Sequence, residues 1–181
     1  MSLLLPGDLF RRRSKLAISI HEAAHAVVSL AQPPAPKINC VYVKHSHLRQ
    51  WEGSTVYPHR CSLGAGAGSR TAIKCELLVT LAGPVAEARW CLRHRERAIA
   101  VAASNARVAI RMKHKADTDY ERAVKYLSRL GAIDLEQAFV DAWLEAELIV
   151  HEHWQRILVI GRAVRNTDIL SGEEVVALWQ A

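Results

Sequence analysis

His21, Glu22 and His25 lie in the stretch "SIHEAAHAVV" at residues 19–28. Histidines four apart project from the same face of an α-helix, one turn from each other, so both imidazoles can reach one ion. Glu22 lies beside that face, where its carboxylate can hold and deprotonate a water instead of binding the metal. This is the physical content of an HExxH pattern, and metal-assisted hydrolysis is the chemistry it points to. A catalytic zinc takes three protein ligands and keeps one position open. The "HAVVSL" that begins at His25 has neither the glycine nor the third histidine of the metzincin extension, so the third ligand must come from a distant segment. The acidic candidates are Glu76 and Glu87 on the next helix, and Asp117 or Asp119 at the start of the one after it.

The elements that must position these groups read as mainly α with a small β-sheet. Leu16, Ile20, Ala24 and Val28 have helical spacing, which predicts a motif helix over about 12–32 that Pro33-Pro34 stops. "INCVYVK" at 38–44 and "GSTVYP" at 53–58 are rich in β-branched and aromatic residues and predict a short strand pair within 38–58. The remainder, 69–180, reads as helical. A helix from Ser69 runs through "CELLVTLAG", and Gly83-Pro84 kinks or divides it. Residues 92–115 allow a helix without a clean amphipathic period. Thr118 with Glu121 and Ser171 with Glu174 have capping-box spacing, and Gly131 marks a stop. Asp134 with Gln137 starts a long helix expected to run to about Arg165.

The whole chain bounds the alternatives. Its 181 residues, half hydrophobic and 23% charged, suit one globular domain over 1–181. No apolar run approaches the ~20 residues that cross a bilayer, and the start has no signal-peptide core, so a cytoplasmic address without a transmembrane segment is expected. Cys40, Cys61, Cys75 and Cys91 form no CxxC pair, so reduced thiols are expected. The net charge of +6 gathers at "RRRSK" and "RHRER", without interleaved aromatics, which favours a solvated basic face over a specific nucleic-acid site. "GAGAG" at 64–68 lacks the Gly-Lys-Ser/Thr ending of a phosphate loop and reads as a connection. His45 and His47 read as surface histidines, and His151 with His153, two apart on a helix, point to different faces and make a poor metal site.

Beyond "HEAAHAVV", three further blocks resemble the peptidase domain of FtsH-type ATP-dependent zinc proteases. "SRTAIKCELLVTLAGPVAEA" resembles that family's serine-led helix with its LAGRxAEE segment. "DTDYERAVKYLSRLG" resembles SNDLERATxxARxMVxxxG, and "ILVIGRAVRNTDILSGEEVVAL" resembles LxxLAxxLLExETLSGEEI. The resemblance implies an FtsH peptidase-like helical fold with a strand edge along the cleft, which an extended peptide can join by backbone hydrogen bonds. It implies zinc on His21, His25 and Asp119, with Asp119 two residues before the Glu-Arg-Ala triplet as in the family, and Glu22 as general base.

The chain departs from the family at several places. Ala24 stands where the family has glycine, and Pro84 where it commonly has arginine. About 16 residues are inserted between the LAG segment and Asp119, as judged by matching the flanking blocks. "HKADT" replaces the small residues before the aspartate, which makes Asp117 a rival ligand. These residues contain neither a Walker-A loop nor a membrane span, so the expected function is a zinc metalloendopeptidase whose ATP dependence is not encoded here. Its expected partners are a protein or peptide substrate, a separate ATPase and a homo-oligomer. The alternative is a catalytically inactive adaptor or assembly module that keeps the fold and binds a protein partner.

Overall fold

A computed structural model of the chain describes residues 14–32, 37–46, 50–57, 69–92, 95–111 and 118–181. Asp117, His47, Cys61, Pro33-Pro34, the glycine run at 64–68 and parts of both basic clusters lie outside the described residues. The chain order is α1 (Lys15–Ala31), β1 (Cys40–His45), β2 (Trp51–Val56), α2 (Arg70–Cys91), α3 (Arg95–Arg111), α4 (Asp119–Arg129), α5 (Leu135–Glu152), α6 (Trp154–Thr167), β3 (Ile169–Ser171) and α7 (Gly172–Gln180). The protein is therefore mainly helical, with a small antiparallel sheet.

Helix α1 is the axis of the fold. Ser14 caps it by accepting a hydrogen bond from the Ala17 amide, and every residue from Ala17 to Ser29 is buried. A helix covered on all sides has no solvent face on which to place polar groups. Helices α2 and α6 and strands β1 and β2 cover it, and Ile20, Ala23, Ala24, Val27 and Val28 sit in the main core. The polar residues on α1, His21, Glu22 and His25 among them, must therefore find protein partners or a ligand.

The sheet has the order β2-β1-β3, with β1 antiparallel to both neighbours. The strand pair expected from the sequence is therefore a three-stranded sheet. Ile169–Ser171 pairs with Cys40–Tyr42 across more than a hundred residues of chain. Val41 and Val43 point into the core while Tyr42 and Lys44 point away, the alternation of a strand with one covered face. β2 is left at an edge, packed on α1.

Helix α2 runs unbroken through Pro84, contrary to a division at Gly83-Pro84. A proline disfavours the helical region for the residue before it partly through that residue's Cβ, and glycine has none. Residues 95–111 of the inserted stretch form α3, which packs on α2, α4 and α5 but not on α1. Arg95 of α3 grips Glu147 of α5 with three hydrogen bonds, two from Nε at 2.8 Å and one from Nη2 at 2.7 Å.

Helix α4 begins with the full capping box of Thr118 and Glu121. Past its end, Gly131 adopts φ +78°, a conformation that favours glycine. Tyr120 stacks on Phe139 with ring centroids 6.1 Å apart, fixing the start of α4 against α5. The long helix expected from Asp134 to about Arg165 is two helices, broken at His153, where the backbone leaves helical geometry at φ −101° and ψ 15°. Ser171 and Glu174 form the capping box of α7. No helix among the described residues is long and apolar enough to cross a membrane.

Candidate metal centre

His21 and His25 lie one turn apart on α1, with ring centroids 4.8 Å apart. The first residue of α4, Asp119, meets them from 94 residues beyond His25: its Oδ2 lies 3.0 Å from Nε2 of His21 and 3.6 Å from Nε2 of His25. Ligand atoms ~2.0–2.2 Å from a tetrahedral ion lie about 3.4 Å from one another. The two measured separations bracket that value, and the three donor atoms all lie within 4.8 Å of each other. Among the described residues, these three form the group of His, Cys, Asp and Glu side chains able to hold a metal ion.

The other ring nitrogens are already used. His25 Nδ1 donates to the Val79 carbonyl at 2.7 Å, and a carbonyl can only accept. His21 Nδ1 lies 2.9 Å from Oε2 of Glu87. Both arrangements favour a proton on Nδ1 and turn Nε2 toward Asp119, as the outer-shell hydrogen bonds of metal-binding imidazoles do. Glu87 is thus the carboxylate behind His21, and Glu76 hydrogen-bonds Tyr126 instead. Asp117 lies outside the described residues.

Glycine makes the space. A Cβ on Gly83 would fall 2.4 Å from Nε2 of His25 and 2.5 Å from Nε2 of His21. Gly83 and Glu87 are one turn apart on α2, so one face of that helix both clears room for the imidazoles and supplies the carboxylate behind His21. On the neighbouring face of α1, a Cβ on Gly53 of β2 would lie 2.5 Å from Cγ of Glu22. Thr55, two residues on and on the same face of β2, donates to the backbone oxygen of Glu22 at 2.8 Å, with the carboxylate Oε2 at 3.1 Å. Glu22 is thus clamped between α1 and the edge strand.

Electrostatics bind the cluster together without a metal. Burial disfavours charge on His21, but the hydrogen bonds to Asp119 and Glu87 and the charges of Asp119 and Glu22 outweigh it and push its imidazole up to about 10. Burial likewise opposes ionisation of Asp119, yet the neighbouring His25 and the hydrogen bonds from both histidines hold its carboxyl well below the usual range. A proton on His21 therefore stands where a cation's charge is wanted. The donor set suits a divalent ion such as zinc, because two neutral imidazoles and one carboxylate leave a net charge of about +1.

The four residues singled out by the sequence pattern and the resemblance, His21, Glu22, His25 and Asp119, lie at one place. Gly83, Gly53, Thr55 and Arg122, whose Nη2 donates to Oδ1 of Asp119 at 2.6 Å, were not foreseen there, and the spacing of Gly83 and Glu87 by four was the available signal for the first of them. His45 lies edge-on to Trp51, ring centroids 5.1 Å apart, away from these donors. Comparison with protein-family models and with curated proteins finds no match to the chain.

Proposed function

We propose that the protein is a zinc-dependent metallopeptidase of the FtsH peptidase type, with zinc on His21, His25 and Asp119. Zinc held there would supply Lewis acidity, lowering the pKa of a water toward ~7 and polarising a peptide carbonyl. Glu22 takes the proton from the attacking water and passes it to the leaving amine. Thr55 and Gly53 keep its carboxylate at the seam between α1 and β2. An extended substrate joins the outer edge of β2, the end strand of the sheet, where backbone hydrogen bonds supply affinity that tolerates many sequences. The buried walls of α1 and α2 exclude bulk water from the histidines, which strengthens every charge interaction inside.

The observation that best supports this reading is the convergence of three donor atoms from α1 and α4 beside a buried, hydrogen-bonded glutamate. Casein, which needs no unfolding ATPase, is the substrate for the test. Zinc-loaded protein is expected to cleave it, and Glu22→Gln to lose at least ~100-fold in rate while keeping its zinc. A folded, zinc-loaded protein that leaves casein intact would contradict the peptidase reading and favour a non-catalytic assembly module.

A further inference from the structure

Asp119 uses its two carboxylate oxygens differently. Oδ2 faces the imidazoles at 3.0 and 3.6 Å, whereas Oδ1 accepts a hydrogen bond of 2.6 Å from Nη2 of Arg122. That bond is short and charge-assisted. Arg122 stands one turn further along α4, three residues from Asp119, so the helix backbone itself sets their approach. The Asp119 side chain is only 13% exposed, against 42% for Arg122, so the contact fixes a nearly buried carboxylate from the solvent side.

A carboxylate can ligate a cation through one oxygen or through both. With both, Asp119 would fill a coordination position that a hydrolytic centre needs open. We infer that Arg122 is a positioning residue that holds Oδ1 of Asp119, so that the aspartate offers a metal Oδ2 alone and a further coordination position stays open. This rests on the metal-centre reading above. The guanidinium also opposes a nearby cation by its charge, but its partly exposed side chain lets water and salt screen that charge, while the hydrogen bond acts directly on the aspartate. Orientation is therefore the larger effect, and losing Arg122 changes how the metal is coordinated more than how tightly it is held.

Cobalt(II) in place of zinc reports this, because its visible absorption is strong with four ligands and weaker with five. The full chain loaded with cobalt is expected to give the strong, four-coordinate spectrum. Arg122→Met is expected to lose intensity and shift toward the five-coordinate form at unchanged helix content by circular dichroism. Arg122→Lys, which keeps a cationic donor, is expected to recover the original spectrum. Should Arg122→Met lose helix content, Arg122→Ala takes its place. A folded donor-free variant with the parent spectrum overturns the role of Arg122, whereas a folded parent chain that takes up no cobalt contradicts the metal centre itself.

Discussion

Among the described residues two close pairs of histidines lie on or at the end of helices, and the first of them belongs to a group of side chains able to hold a metal ion. His21 and His25 are four residues apart on a helix buried on every side, with Asp119 brought to both Nε2 atoms from α4. His151 and His153 are two apart, at the end of α5 and in the break before α6. Arg89 donates to Nδ1 of His151 at 2.8 Å, and His153 lies edge-on to Trp179 with ring centroids 5.1 Å apart. A cationic neighbour and an aromatic edge occupy the places where the first pair has carboxylates. Spacing brings imidazoles together, but burial, a facing anion and cleared space turn them into a candidate donor set.

The sharpest way to break the contrast is to fill the cleared space. A methyl on Gly83 would lie within 2.5 Å of both Nε2 atoms. Gly83→Ala is expected to weaken zinc binding by more than about a hundredfold, beyond the usual cost of an outer-shell change. Overpacking costs ~1–3 kcal/mol, and the better helix propensity of alanine offsets only up to ~1 kcal/mol of it. Isothermal titration with zinc, together with urea unfolding of the metal-free protein, reads both effects.

A milder change removes the charge behind His21. Glu87→Gln keeps an acceptor for Nδ1 but not the carboxylate, and is expected to cost about 10–100-fold in zinc affinity. The same isothermal titration that ranks Gly83→Ala can rank this variant.

The proton held by the first pair gives a pH signature. The His21 imidazole is raised from 6.5 to about 10 in the folded protein, so its contribution to stability is full below about pH 6.5 and is lost as pH rises toward 10. Asp119 is held below its ordinary 3.8, so its contribution is present above that pH and is lost on acidification. The metal-free protein is expected to be most stable between about pH 4 and 6.5 and to weaken above that range, as read by denaturant midpoints. Zinc displaces the proton, so affinity rises with pH across the same upper window. Glu87→Gln narrows that window, because Glu87 is one of the groups that raise His21.

The smallest effect belongs to the other pair. His151→Ala is expected to leave zinc affinity unchanged and stability within about 0.5 kcal/mol, because it removes only a surface contact with Arg89.

Much of this contrast was legible in the sequence. The four-residue spacing placed His21 and His25 on one face, and the boxes at Thr118 and Ser171 marked the starts of α4 and α7. Asp119 came from a resemblance between ordered blocks of sequence, since helical periodicity cannot say which acidic residue folds back onto α1. The break at His153 was not legible, because residues 135–167 contain no proline and their one glycine, Gly161, lies well past the break. β3 was missed because three residues carry no alternation, and its pairing with β1 is wholly long-range. The roles of Gly83 and Gly53 depend on which side chains another element brings opposite them, and that is settled only in three dimensions.

The most direct test is zinc content by elemental analysis of the purified, zinc-loaded chain beside Asp119→Ala. About one zinc per chain in the parent and none in the folded variant is the predicted result. A parent chain that folds without binding zinc, or a variant that keeps it, would contradict a centre built on His21, His25 and Asp119.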